Sequence, residues 1–241
     1  MANGPHPALL REQALARGLP PALLNPVYAA LALPTGDARP GHALAEAPAP
    51  LRDLAVALLC APAVLTIAAA EPGGDRALRI GLTPSRTILD SPLSHPTPTE
   101  TTSYLPLAAD DIVPTVADFL PDGPLSAPPH LTQESAAARR HRTDDESPAR
   151  AEAESARTRV SMTLMLSPAS LGMPGEPIGF SRVWAEGANG LVRMDVPTGG
   201  SRVPAPVDVE PGDVLGTLLP LLTEGQRFVA QGTASRSGNA R

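Results

Sequence analysis

Apolar and polar positions alternate along this chain in two rhythms, and one stretch occurs twice. LAADDIVPTVADFLPDG, residues Leu107 to Gly123, aligns without a gap on VEPGDVLGTLLPLLTEG, residues Val209 to Gly225, at an offset of 102. Asp111/Asp213, Thr115/Thr217, Leu120/Leu222 and Gly123/Gly225 are identical pairs. Ile112, Val113, Val116 and Leu120, like Val214, Leu215, Leu218 and Leu222, follow the spacing i, i+1, i+4, i+8, which gathers them on one stripe of a helix. An acid opens each predicted helix and a glycine closes it. Such an echo predicts two similar halves around one core, with function in a shared surface rather than in a single grafted active site.

The second rhythm has period two. Val64-Leu65-Thr66-Ile67 and Leu78 to Leu82 read as strands joined by a hairpin at Glu71 to Asp75, and Thr97 to Leu105 supplies a further strand. In the second half Val160, Met162, Leu164 and Leu166 alternate with Ser161 and Thr163, and Ile178, Phe180 and Trp184 share one side of the next strand. Asn189-Gly190 fits a tight turn that needs positive φ, after which Val192, Met194 and Val196 face one way. Leu9 to Ala16, Pro21 to Leu33 and Leu51 to Leu59 read as helices, the last stopped before Pro62. Pro114 requires the first repeat helix to begin near Asp111, and Pro220 predicts a kink or an end in the second. Each half is therefore strands followed by a helix, an α+β fold of two pseudo-symmetric halves around a largely antiparallel sheet.

The organisation that follows is a helical segment at 1–43, a first half at 44–123, a linker at 124–159, a second half at 160–229 and a tail at 230–241. Between the halves, proline, alanine, serine, arginine and acids dominate, with Arg139-Arg140-His141-Arg142 preceding Asp144-Asp145-Glu146. That composition buries too little apolar surface to offset ordering entropy, so a flexible linker is expected, and a disordered tail after Val229.

Composition narrows the chemistry. The chain has no lysine among its 241 residues, which excludes a Walker-type phosphate loop, a Schiff-base site and a Ser-x-x-Lys nucleophile. A net charge of −6 with scattered arginines argues against a nucleic-acid partner. The single cysteine, Cys60, cannot close an internal disulfide, and its apolar neighbours Leu58, Leu59 and Val64 predict a buried, inert thiol. Leu54 to Ala70, the one apolar stretch of any length, is short for a membrane span and broken by Pro62, and the N-terminus lacks the pattern of a signal peptide.

No glycine-rich phosphate loop, paired-cysteine zinc site, His-Glu-x-x-His or Gly-x-Ser-x-Gly motif occurs. His6, His42, His95, His130 and His141 all lie in proline-rich or charged stretches, so no metal site is expected, and no cofactor. Asp110-Asp111 reads as helix-start acids rather than an acid pair, and Asp144-Asp145-Glu146 as a solvated charge run. Met162, Met165, Met173 and Met194 suit core filling or an adaptable surface, and Trp184 either a core anchor or an interface hot spot. The expectation is a protein that catalyses nothing.

The order of these segments resembles the EspG family of type VII (ESX) secretion chaperones of actinobacteria. The resemblance rests on Leu58-Leu59-Cys60-Ala61-Pro62-Ala63-Val64, on Phe119-Leu120-Pro121, on Leu218 to Phe228, and on the strand pair through Trp184 and Asn189-Gly190-Leu191. It covers roughly Leu44 to Val229 without the linker, in patterns of small apolar residues. It departs at the N-terminus, where no first strand is evident before Leu9. What it implies is a two-halved α+β fold without catalysis, and cytoplasmic binding of a helical secretion substrate of the PE/PPE type. The other reading is a structural or regulatory module without a client. On the chaperone reading the contacts fall at Leu93 to Tyr104, Leu171 to Ile178 and Leu219 to Phe228, with Leu93, Tyr104, Leu171, Met173, Leu222 and Phe228 as partner-binding residues.

Overall fold

The structure, a computed structural model, describes residues 2–33, 48–72, 74–92, 101–129, 158–187, 190–196 and 206–238. Among these residues the strands form one nine-stranded antiparallel sheet: β1 (Ala2–Pro5), β2 (Ala63–Glu71), β3 (Gly74–Leu82), β4 (Thr87–Pro92), β5 (Thr101–Leu107), β6 (Thr158–Leu166), β7 (Ile178–Gly187), β8 (Gly190–Val196) and β9 (Val207–Val209). Their spatial order is β1-β5-β4-β3-β2-β6-β7-β8-β9, so the two halves meet where β2 pairs with β6. The helices are α1 (Pro7–Ala16), α2 (Pro26–Ala29), α3 (Ala49–Leu59), α4 (Ile112–Phe119) and α5 (Asp213–Gly238). The fold is α+β.

Alternation along the strands sends side chains to two different layers. Ala63, Leu65, Ile67 and Ala69 of β2, with Val160, Met162, Leu164 and Leu166 of β6, join the buried stripes of α4 and α5 in one core on the front face. Val64 faces the other way, and with Ile88 and Tyr104 it packs under α1, α2 and α3 in a second core on the back face of the first half. Asn25, fully buried, ties this layer to the sheet: its side chain caps α2 through the Val27 amide at 3.1 Å and donates to the Ala61 carbonyl at 2.9 Å. An unpaired amide there would carry a desolvation penalty of about 1–3 kcal/mol.

The strand registers repeat between the halves. Adding 104 to both members of Arg79↔Asp90 gives Val183↔Met194, and to Gly81↔Ile88 gives Ala185↔Val192, both of which are pairs of β7 with β8. Adding 104 to Leu89 and 102 to Leu105 turns their β4–β5 pairing into Arg193↔Val207 of β8 and β9. The 102-residue offset of the helical echo thus holds in β5, the strand that precedes it, and becomes 104 in β3 and β4.

Three features depart from the sequence reading. A first strand exists after all: β1 pairs with β5 from Ala2↔Tyr104 to Pro5↔Thr101, although it carries no alternating apolar signal. Strand β4, Thr-Ile-Leu-Asp-Ser-Pro, was not expected either, because its central acid hides the pattern until Arg79 neutralises it. The stretch after Val229 is helical rather than disordered, since α5 runs to Gly238. Pro220 does not end that helix. Its missing N–H leaves the Gly216 carbonyl without the usual helical donor, at a place where Gly216 and Pro220 are both exposed. Most of the expected linker, residues 130–157, lies outside the described residues, and its far end, Thr158 and Arg159, already belongs to β6.

Candidate functional site

Where the β3–β4 turn meets the last turns of α5, the front face opens into a groove of about 620 Å³. Leu82, Thr83, Pro84, Arg86 and Thr87 form one wall, Leu107 and Ala109 at the end of β5 extend it, and Gln226, Val229, Ala230, Thr233 and Ala234 form the other. The turn is held by Thr83, whose backbone N–H and hydroxyl both donate to the Arg86 carbonyl at 3.0 and 2.8 Å, while its hydroxyl accepts from the Arg86 amide. Small residues bring α5 down onto the sheet. A Cβ at Gly225 would stand 2.7 Å from Leu82 Cδ1, and one at Gly232 only 2.3 Å from Leu171 Cδ1, closer than carbon atoms approach.

The lining contains hydroxyls, one amide, one guanidinium and apolar methyls, with no acid, histidine or cysteine. General acid–base chemistry needs a titratable group within hydrogen-bond reach of its target, and nucleophilic catalysis needs a base beside its nucleophile. Neither arrangement is present in this groove. Among the described residues no three histidine, cysteine or acidic side chains converge as a metal site would require.

Two polar clusters lie elsewhere and serve architecture. On the front face of the second half, Trp184 is fully buried and donates Nε1–H to Asp213 Oδ2 at 2.8 Å, while Arg193 reaches both oxygens of Asp213 at 3.1 and 3.0 Å. Asp195 then bridges Arg193 and Arg182 at 3.3 and 2.9 Å, and Arg182 donates to the Thr217 hydroxyl at 3.3 Å. The indole is therefore a core anchor that fixes the start of α5. On the back face of the first half, Arg79 and Asp90 form a buried pair at 2.8 Å, beside Tyr28 and Tyr104. Burial, reinforced by the Asp90 charge, holds both phenols well above their ordinary range, so they stay neutral. Burial likewise raises the Cys60 thiol, which leaves it a weaker nucleophile than a free cysteine.

The expected contact residues scatter. Leu93 lies outside the described residues. Tyr104 is fully buried beneath the helical layer of the back face, Leu171 is covered by α5 at Gly232, and Leu222 is part of the front core, so none of these three presents a side chain to a partner. Met173 is partly exposed after a turn closed by left-handed Gly172, and Phe228 is half-buried against the front core. Sequence reasoning reached the groove only at Gln226, inside the expected contact stretch Leu219 to Phe228: one wall needed β4 and its turn, and the rest of the other the helix beyond Val229. Small residues at Ala230, Thr233 and Ala234, spaced i, i+3, i+4, were the signal that a helical face continued.

No family model matches the chain, and no curated protein sequence does. Among solved structures, the chain is similar in fold to the Mycobacterium tuberculosis type VII secretion system chaperone EspG5, in its complex with the PE25-PPE41 dimer, at a TM-score of 0.45 and 9% identity. That match covers 73% of this chain and 78% of the other. Among the described residues no helix is long and apolar enough to cross a membrane.

Proposed function

We propose that this protein is a non-catalytic cytoplasmic chaperone or adaptor, and that its groove receives an apolar helix of a secretion substrate of the PE/PPE type. The observation that carries the reading is the groove itself: an open, 620 Å³ concavity of small apolar and hydroxyl side chains, without a group that could move a proton. Covering a client's helix needs a rigid wall, shallow side chains and peripheral hydrogen bonds, and these are what the β3–β4 turn and α5 offer. The sequence resemblance to the EspG family names the client class. Shielding the client's apolar surface keeps it soluble until export.

Co-expression with each PE/PPE-type protein encoded near this chain, followed by size-exclusion chromatography, tests the reading. A stoichiometric complex is expected, and Ala230→Trp or Ala234→Trp should abolish it while shifting stability by no more than about 0.5 kcal/mol, since both side chains are exposed. No complex with any candidate, or one indifferent to both tryptophans, overturns the groove as the client site. A turnover removed by a single substitution overturns the non-catalytic reading.

A further inference from the structure

One histidine joins the two parts of the N-terminal arm. β1 adds the outermost strand to β5, and α1 follows at once and packs on the back-face core through Leu10 and Ala14. Between them His6 is the N-cap of α1: its Nδ1 accepts from the Ala8 amide at 3.2 Å, and its carbonyl accepts from Leu9 and Leu10 at 2.9 and 3.2 Å. Serine, threonine, asparagine and aspartate commonly fill this position because each carries an oxygen acceptor. A ring nitrogen accepts only while its lone pair is free.

Protonation puts a hydrogen on Nδ1, so the bond to Ala8 is lost and two N–H groups face each other. The new cation would also lie at the positive end of the α1 dipole. Of the charges around it, Arg79 of β3 and Arg11 of α1 repel an imidazolium and Asp90 of β4 attracts it, while the Arg79–Asp90 and Arg11–Glu12 pairs, each at 2.8 Å, soften both effects. Tyr104 of β5 and Tyr28 of α2, packed nearby, remain neutral, and β1 contains no charged residue.

We infer that β1 and α1 form an acid-released latch with His6 as its switch. Burial first, and Arg79 next, depress the affinity of the docked His6 for a proton below its ordinary value of 6.5. A released arm regains that ordinary affinity and binds the proton more readily than the docked one. The docked state is therefore fully favoured above the ordinary value and loses ground as pH falls through the window beneath it. Release would free the β5 edge now paired with Ala2 to Pro5 and uncover the back-face core under α1. This does not depend on the proposed groove, which is on the front face.

Amide hydrogen exchange on the full chain tests the latch at about pH 7.5 and about pH 5, with rates corrected for chemical exchange and β6 as internal reference. Opening of α1 is expected to rise roughly tenfold at the lower pH in the wild type. His6→Asn supplies an oxygen acceptor that does not titrate in place of Nδ1, so α1 should stay protected at both values; His6→Ser repeats the test should the asparagine variant not fold. His6→Ala should be open at both. A wild-type α1 that ignores pH, or an asparagine or serine variant that loosens in acid as the wild type does, overturns the proposal.

Discussion

Helices α4 and α5 begin alike and end differently. Their apolar stripes agree position by position: Ile112 and Val214, Val116 and Leu218, and Leu120 and Leu222 are all buried. Their identical polar and glycine residues do different work. Asp213 binds Trp184 and Arg193, whereas Asp111 makes no side-chain cap bond. Thr217 receives Arg182, while the Thr115 hydroxyl donates back to the Asp111 carbonyl at 2.7 Å. Gly123 takes φ of 111°, which suits glycine, beyond the end of α4, but Gly225 stays inside α5, where it lets the helix touch Leu82, Leu164 and Ala63. The two copies of the echo thus share a packing face and differ in what their other residues do, and the part of α5 past the echo builds one wall of the groove.

The acids should separate the halves most sharply. Asp213→Ala leaves a largely buried guanidinium with only Asp195 and an indole N–H with no acceptor, and a loss of about 3 kcal/mol is expected. Asp111 is exposed, so Asp111→Ala should cost no more than about 0.5 kcal/mol. Equal losses in urea denaturation would mean that the network around Trp184 does not anchor α5.

The glycines come next, with about 2 kcal/mol for Gly225→Val from overpacking and a comparable or smaller loss for Gly123→Val from backbone strain. A second substitution tells the two mechanisms apart. Leu82→Ala makes room beside Gly225, so the double variant Gly225→Val/Leu82→Ala should lose less than the sum of its parts. Gly123 has no atom within 4 Å of its missing Cβ, so with Gly123→Val the losses should simply add.

Packing was legible in the sequence and geometry between elements was not. The helical stripes, the strands β2, β3, β6, β7 and β8 and the α+β class follow from spacing alone, because burial selects apolar residues at fixed periods. Strand β1 escaped because an edge strand of Ala-Asn-Gly-Pro is specified by its partner β5 rather than by its own pattern. Strand β4 escaped because a buried acid is tolerable only with Arg79, a residue 11 positions away. Glycine at 225 read as a helix stop, since sequence does not reveal that a neighbouring leucine occupies the space a side chain would need. Three of the candidate contacts are covered for the same reason: Tyr104, Leu171 and Leu222 look suited to an interface until the layers that bury them are known.

The smallest expected effect concerns proline. Pro114 is in the first turn of α4, where an absent N–H removes nothing the helix would use, and Pro114→Ala should change stability by no more than about 0.5 kcal/mol. Pro220 is inside α5, where a proline ordinarily costs about 3 kcal/mol. Both Pro220 and Gly216, whose carbonyl it orphans, are exposed, so access to solvent lowers that cost. Restoring the bond with Pro220→Ala also widens the unfolded ensemble, which offsets part of the gain. The net expectation is a stabilisation of about 1 kcal/mol or less, read as a small rise in the denaturation midpoint at constant slope. A loss instead would show that α5 needs the proline to set its path from Asp213 to the groove, and that the second copy diverged from the first in helix direction as well as in length.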